Sequence, residues 1–143
     1  MGNKKYKTKL EIGAAKKYNK KKHKYWTREE FVRWYAKQYS EQEGRCHYCD
    51  IYQEDIEKLV RGEKIKSKRF KRKNKFVRGI TLEVERLDPE KEYNPANCKL
   101  ACYFCNNDKS DIISEEHYIR FFKESRQNYI NYLLKENKSS CDS

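Results

Sequence analysis

Apolar residues in this chain recur at helical spacing near the start, alternate at strand spacing in the middle, and return to helical spacing at the end. Thr27-Arg28-Glu29-Glu30 reads as a capping box, in which hydroxyl and carboxylate satisfy each other's backbone amides. Phe31, Trp34, Tyr35 and Gln38 then share one helical face, with Val32 and Tyr39 beside it, which predicts a packed helix to about Tyr39. After a Gly44-Arg45 turn, Asp50 is placed to cap a short helix carrying Ile51, Ile56, Leu59 and Val60 and stopping at Gly62. From Gly79 to Glu85 apolar and polar residues alternate, predicting a strand with Ile80, Leu82 and Val84 on its buried face. Asp88-Pro89 and Asn94-Pro95 are turn signals, and Lys99-Leu100-Ala101 is a short return strand, so the pair forms a hairpin with a long loop. A short helix follows over Phe104 to Ser110. Ser114-Glu115-Glu116 opens a longer amphipathic one carrying Tyr118, Phe122, Ile130, Leu133 and Leu134. The class is α+β.

Charge divides this frame into three parts. The 143 residues hold 34 Lys and Arg against 22 Asp and Glu, a net charge of +12 that attracts polyanions, nucleic acid first among them. Ten of the lysines crowd between Lys4 and Lys24, where Glu11 is the sole acid. Residues 1–24 are therefore expected to be a basic, mobile arm, residues 25–136 the folded domain, and residues 137–143 a polar tail. A second run, Arg61 to Arg78, has ten basic residues and one acid with Phe70 and Phe76 interleaved, and reads as a surface loop. Its Lys66, Lys68, Arg69, Lys71, Arg72, Lys73, Lys75 and Arg78 are the candidate DNA contacts. No long apolar run suggests a membrane span, and the lysine-studded start lacks the apolar stretch of a signal peptide, so a cytoplasmic location is expected.

Six cysteines in such a chain point to metal rather than to disulfides, because the cytosol keeps thiols reduced. Cys46-x-x-Cys49 and Cys102-x-x-Cys105 together supply the four thiolates of a closed tetrahedral site for one structural zinc per chain. The two pairs lie far apart in sequence, so the metal acts as a staple across the domain. A closed four-sulfur site has no open position for substrate, and its metal affinity is coupled to folding. Cys98 and Cys141 are left over, the first as a small buried hydrophobe and the second in the polar tail.

Between the cysteine pairs run Leu82-Glu83-Val84-Glu85-Arg86-Leu87-Asp88-Pro89 and, beyond the loop, Tyr93-Asn94-Pro95-Ala96-Asn97-Cys98, leading to Cys102-Tyr103-Phe104-Cys105-Asn106-Asn107-Asp108-Lys109-Ser110. This arrangement resembles the HNH, or ββα-metal, nuclease motif. The resemblance implies that Glu85 stands for the metal-binding acid, more often Asp, and Arg86 for the general-base His. It makes Asn97 the central Asn and Asn106 the final motif residue. It reaches loosely from His23 through Ser114, and a restriction enzyme of the family likewise carries Arg, Tyr and Asn at positions matched by Arg86, Tyr93 and Asn106. A ββα-metal core with a four-cysteine zinc site is the fold it implies.

Chemically, Glu85 and the Asn106 amide oxygen are suited to hold a catalytic Mg2+ or Mn2+ against a scissile phosphate. Arg86 has no acceptor and stays protonated, so it serves as a phosphate contact, and Tyr93 or His23 must activate the nucleophile. The resemblance thus implies a metal-dependent endonuclease on double-stranded DNA, of restriction, phage or mobile-element type. Restriction members of this size imply a homodimer, for which Tyr129, Ile130, Leu133 and Leu134 offer an apolar face that core packing claims equally. The other reading is a zinc-stapled nucleic-acid-binding protein made inactive by Glu85 and Arg86. An RNA-binding module stands third.

Overall fold

The computed structural model describes residues 6–142, with side chains described through residue 136. Among the described residues there are six α-helices and two separate antiparallel hairpins. The segment expected to be a solvated arm carries helix α1, Lys9–Lys17, started by a capping box between Thr8 and Glu11. Its apolar face is small but sufficient: Ala14 is buried, and α1 packs along α2, Arg28–Glu41, whose own capping box at Thr27 and Glu30 is present as expected. Residues 1–5 of that arm lie outside the described residues.

Phe31, Val32 and Tyr35 of α2 form the centre of the core together with Ile56, Leu59 and Val60 of α3, Gln53–Arg61. Asp50 does not cap α3. Tyr52 occupies the N-cap position, and Asp50 instead takes a left-handed conformation (φ 60°), bonding the Cys46 carbonyl through its amide and Lys123 through its carboxylate at 3.0 Å. The run expected to be a loop is a hairpin of β1, Lys71–Arg72, and β2, Lys75–Phe76. Its turn residues Lys73 and Asn74 are both left-handed (φ 51° and 67°), the geometry of a two-residue hairpin turn, although the turn lacks the usual glycine.

The second hairpin joins β3, Glu83–Arg86, to β4, Cys98–Ala101, in the register Glu83 with Ala101 through Arg86 with Cys98. The strand starts four residues later than the alternation from Gly79 suggests. Leu82 and Val84 are buried as expected, Ile80 is half-buried, and Glu85 is buried too, which breaks the alternation at the residue of greatest chemical interest. A single 3-10 turn, Pro95–Asn97, feeds β4, and α4, Tyr103–Lys109, follows directly. β3, β4 and α4 make a ββα unit. The expected long final helix is two: α5, Glu115–Phe121, ends at Phe122, and α6 runs Lys123–Asp142, so the backbone of the expected polar tail is helical to residue 142. Among the described residues, no helix is long and apolar enough to cross a membrane.

Two-stranded sheets leave edge amides and carbonyls to be satisfied by other means. Gln42, which follows α2, does this for β4: its Oε1 accepts from Leu100 N at 3.0 Å and its Nε2 donates to Leu100 O at 2.9 Å. Gln53 Oε1 accepts from Leu82 N at 2.8 Å, and the Tyr35 hydroxyl donates to Leu82 O. Helices α2 and α3 thereby fix the height of the ββα unit. Replacing Gln42 by Ala leaves the buried Leu100 N without its acceptor, while Leu100 O keeps His47 N at 2.9 Å, and is expected to destabilise the fold by about 2 kcal/mol, measured by urea unfolding. An unchanged midpoint would show that the amide is dispensable.

Candidate functional site

The four cysteines converge. The sulfurs of Cys46, Cys49, Cys102 and Cys105 lie within 4.8 Å of one another, those of Cys49 and Cys102 being 4.0 Å apart, and all four are buried. A tetrahedral zinc with metal–sulfur bonds of about 2.3 Å has sulfur–sulfur edges of about 3.8 Å, so the cluster needs little adjustment to hold one. Backbone amides already point at the sulfurs: Cys102 N donates to Cys46 Sγ at 3.3 Å and Cys105 N to Cys102 Sγ at 3.4 Å. The second of these bonds is also the N-cap of α4. His47 N donates to Leu100 O at 2.9 Å, closing the knuckle onto β4, and His47 Nε2 meets Glu115 of α5 at 3.0 Å. Cys98 is buried outside the cluster, where burial pushes its thiol up to about 11; it is an inert hydrophobe, as expected. The Cys141 side chain lies outside the described residues.

Glu85 sits on β3 only 5% exposed. Its nearest cation was not foreseen: Lys109, fully buried at the end of α4, places Nζ 3.7 Å from Glu85 Oε1 and 3.3 Å from the Arg86 carbonyl. Burial raises the Glu85 carboxyl to about 7, against the pull of Lys109, Arg86 and Lys22. Its other oxygen, Oε2, is buried with no partner. The sequence signal for Lys109 was its spacing, since three residues beyond Asn106 puts it on the same side of the helix.

Asn106 does not reach Glu85. Its Nδ2 donates to Glu83 Oε1 at 3.0 Å, and Glu83 also receives Arg78 Nε at 3.0 Å. The two expected metal ligands thus belong to adjacent networks, Glu85 with Lys109 and Asn106 with Glu83. Asn97 braces the loop between the strands: its Oδ1 accepts from Asp88 N, and its Nδ2 donates to the carbonyls of Asp88 and Glu92, each at 3.0 Å.

Arg86, Tyr93 and His23 do come together. The half-buried Tyr93 ring lies 4.7 Å from the Arg86 guanidinium and 4.7 Å from Lys22 Nζ, and meets the His23 ring edge-on at 5.3 Å. His23 is buried, stacked on Phe31 at 4.6 Å. Its Nδ1 accepts from Asn19 N at 3.1 Å, so in the neutral ring Nε2 carries the proton, and that nitrogen has no partner. Burial, reinforced by Lys22, lowers its imidazole to about 4. At neutral pH His23 is a donor aimed from Nε2, with its acceptor nitrogen already used.

Of the expected DNA contacts, Arg69 approaches the Tyr103 hydroxyl at 3.4 Å, Lys71 pairs with Glu63 at 3.0 Å and Arg78 with Glu83. Lys66 stands within electrostatic reach of Glu63, whereas Lys68, Arg72, Lys73 and Lys75 have no acidic partner among the described residues; all five are exposed. Of the apolar face considered for pairing, Ile130 and Leu133 are buried in the chain's own core, while Tyr129 stacks on Phe104 of α4 at 5.9 Å.

No family model matches the chain, and no curated protein matches it. Among solved structures it is similar to the rare-cutting HNH restriction endonuclease PacI, with a TM-score of 0.54 and 25% identity. The match covers 73% of this chain and 63% of that one, so the chain spans less than two thirds of the enzyme it matches. The likeness and the four-cysteine cluster establish an α+β fold with an HNH-like relationship.

Two outcomes test this geometry. Cys102→Ser is expected to lower both the melting temperature and the bound zinc, read by differential scanning fluorimetry and elemental analysis; full zinc at an unchanged melting temperature would remove the staple. The unfolded chain takes up a proton on His23 near pH 6.5 that the folded chain refuses until about pH 4. The stability His23 contributes is therefore complete above pH 6.5 and lost as pH falls towards 4. His23→Phe should shrink the loss of unfolding free energy between pH 7 and pH 5 by about 2 kcal/mol.

Proposed function

We propose that this protein is a divalent-metal-dependent endonuclease that hydrolyses phosphodiester bonds in double-stranded DNA, of the restriction type and acting as a homodimer. The observation that carries the reading is the orphaned carboxylate oxygen of Glu85 in the ββα unit of a chain whose fold is similar to that of an HNH restriction endonuclease. A buried acceptor without a donor fits a hard cation, so Glu85 Oε2 would hold Mg2+ or Mn2+, and the Asn106 amide, which bonds Glu83 in this structure, would have to turn towards Glu85 to share it. The bound cation supplies Lewis-acid stabilisation of the charge that grows on the phosphate and the leaving oxygen.

The chain's own residues account for the remaining steps. Lys109 holds one Glu85 oxygen and so orients the other. Glu83, itself paired with Arg78, accepts from the Asn106 amide nitrogen and leaves the amide oxygen as the other end. Arg86 contacts the scissile phosphate, and the Nε2 proton of His23 is a second donor to it. His23 is assigned this donor role rather than that of base because its Nδ1 is already an acceptor. Tyr93, between Lys22 and Arg86, is the proton acceptor: its hydroxyl oxygen takes the proton of the attacking water and passes its own to solvent while the bond from water oxygen to phosphorus forms and the bond to the leaving sugar oxygen breaks. Asn97 braces the loop on which Tyr93 stands. Exposed Ile119, Phe121 and Tyr132 on α5 and α6 are the apolar residues left for a second copy to cover.

One observation favours a second reading. Lys109 stands 3.7 Å from Glu85 and would balance its charge in a nucleic-acid-binding protein that has no need of a catalytic cation. Supercoiled plasmid with Mg2+ or Mn2+, with and without EDTA, separates the two readings. Nicking or linearisation that EDTA stops is the expected result, whereas tight binding without cleavage in either metal supports the inactive reading. Tyr93→Phe and Glu85→Gln should each lower cleavage by about 100-fold or more while leaving DNA affinity within a few-fold. Loss of affinity in a folded Glu85→Gln protein would remove Glu85 from the role of metal ligand.

A further inference from the structure

We infer that the β1–β2 hairpin is a base-reading β-ribbon that enters the major groove of duplex DNA, with Arg72, Asn74 and Lys75 facing the base edges and phosphates. The inference rests on the proposed action on double-stranded DNA and assigns the element that selects the sequence.

The register separates the two faces of the hairpin. Lys71 pairs with Phe76 and Arg72 with Lys75, so each pair projects to its own side of the ribbon. The Lys71–Phe76 side belongs to the protein body: Lys71 binds Glu63 and lies over the Phe76 ring at 4.8 Å, and Arg61 of α3 covers the same ring at 5.5 Å. The Arg72–Lys75 side is exposed. Two like charges directly opposite on a pair of strands destabilise the hairpin. Neither has an acidic partner among the described residues, and the turn adds a third cation at Lys73. Among the described residues no acid compensates this charge, whereas a polyanion would.

The hairpin is also firmly mounted. Phe70, just before β1, is buried edge-on against Tyr103 of α4 at 5.1 Å, and Gly79 just after β2 is left-handed (φ 87°) with its Cα against that ring. A Cβ at position 79 would stand 2.8 Å from the Phe70 ring. Val77 N and Arg78 N both donate to Phe70 O, and Arg78 binds Glu83 at the head of β3. The ribbon is therefore held at a set position relative to the ββα unit. A two-stranded ribbon fits a major groove about 12 Å wide, where an Asn amide pairs with adenine and an Arg guanidinium with guanine. Asn74, exposed at the tip, and Arg72 supply these two chemistries.

The test uses the full-length chain bearing Glu85→Gln, so that binding is measured without cleavage, on a randomised duplex library and on individual duplexes across a salt series. Arg72→Ala with Lys75→Ala is expected to weaken duplex affinity at least 10-fold near 0.1 M salt and to flatten the slope of log affinity against log salt by about two. Asn74→Gly preserves the left-handed turn. It should leave the salt slope unchanged while erasing the preference at one base position of the selected site. Unchanged base preference in both variants overturns the inference, as does a parent chain that selects single-stranded RNA or an acidic polypeptide over duplex DNA. Cleavage by the unsubstituted chain is scored separately: sequence-selective binding that depends on the hairpin, without cleavage, sustains this inference and defeats the nuclease reading.

Discussion

The geometry of the site depends first on four sulfur atoms. Cys46 and Cys49 precede the basic hairpin and the whole of β3 and β4, while Cys102 and Cys105 follow them, so a metal held by the four would close the whole intervening segment of a chain with a small apolar core. Helix α4 has only seven residues, too few to be stable in isolation, and its first turn is capped by a cysteine sulfur of the cluster. The directions of Asn106 and Lys109 are thus set by the sulfur cluster at one end of α4. At the other side, Asp108 receives Arg126 of α6 at 2.7 Å and the Tyr118 hydroxyl of α5 at 3.3 Å. A helix this short points its side chains reproducibly because both sides of it are tied down.

Within that frame the buried pair of Glu85 and Lys109 is the costly feature. Removing a carboxylate and an ammonium from water is not repaid by their attraction unless the remaining polar atoms also find partners. Lys109 finds one in the Arg86 carbonyl, but Glu85 Oε2 does not. The raised Glu85 carboxyl follows from that imbalance: burial outweighs three nearby cations. An apolar pair of similar volume would serve the fold as well, so stability is a poor reason for the charges to be here. A free, inward-facing carboxylate oxygen is what chemistry at a phosphate requires.

Most of the frame was legible in the sequence, and the missing parts share a cause. The α2 capping box, the strand pair, the four-cysteine cluster and the approach of Tyr93 to Arg86 follow from local spacing or from motif order. Gln42, Gln53 and Lys109 were not legible, because each is defined by a partner on another element: Gln42 bonds Leu100 across 58 residues and Gln53 bonds Leu82 across 29. The basic hairpin was missed because its strands have two residues each, too short for alternation to register. Its turn, moreover, places Lys73 and Asn74 in a conformation usually marked by glycine. Helix α1 is hidden because a lysine-rich segment reads as solvated, whereas the buried Ala14, with Leu10, Ala15 and the following Tyr18 packed against the core, seats it on α2.

Glu83 joins these parts in a way that neither network shows alone. Its carboxylate accepts the Asn106 amide from α4 and the Arg78 guanidinium from the foot of the basic hairpin, and Lys17 of α1 is close enough for Glu83 to favour its charged form against burial. A single carboxylate thus fixes the orientation of a site amide and the position of the element richest in unpaired cations. Nucleic acid bound to the hairpin would compete with Glu83 for Arg78, since phosphate and carboxylate offer the same fork of acceptors to a guanidinium. Any loosening of that pair leaves Glu83 more negative towards Asn106 and Lys17. The hairpin and the ββα unit are therefore electrostatically one structure, although no strand hydrogen bond joins their two sheets.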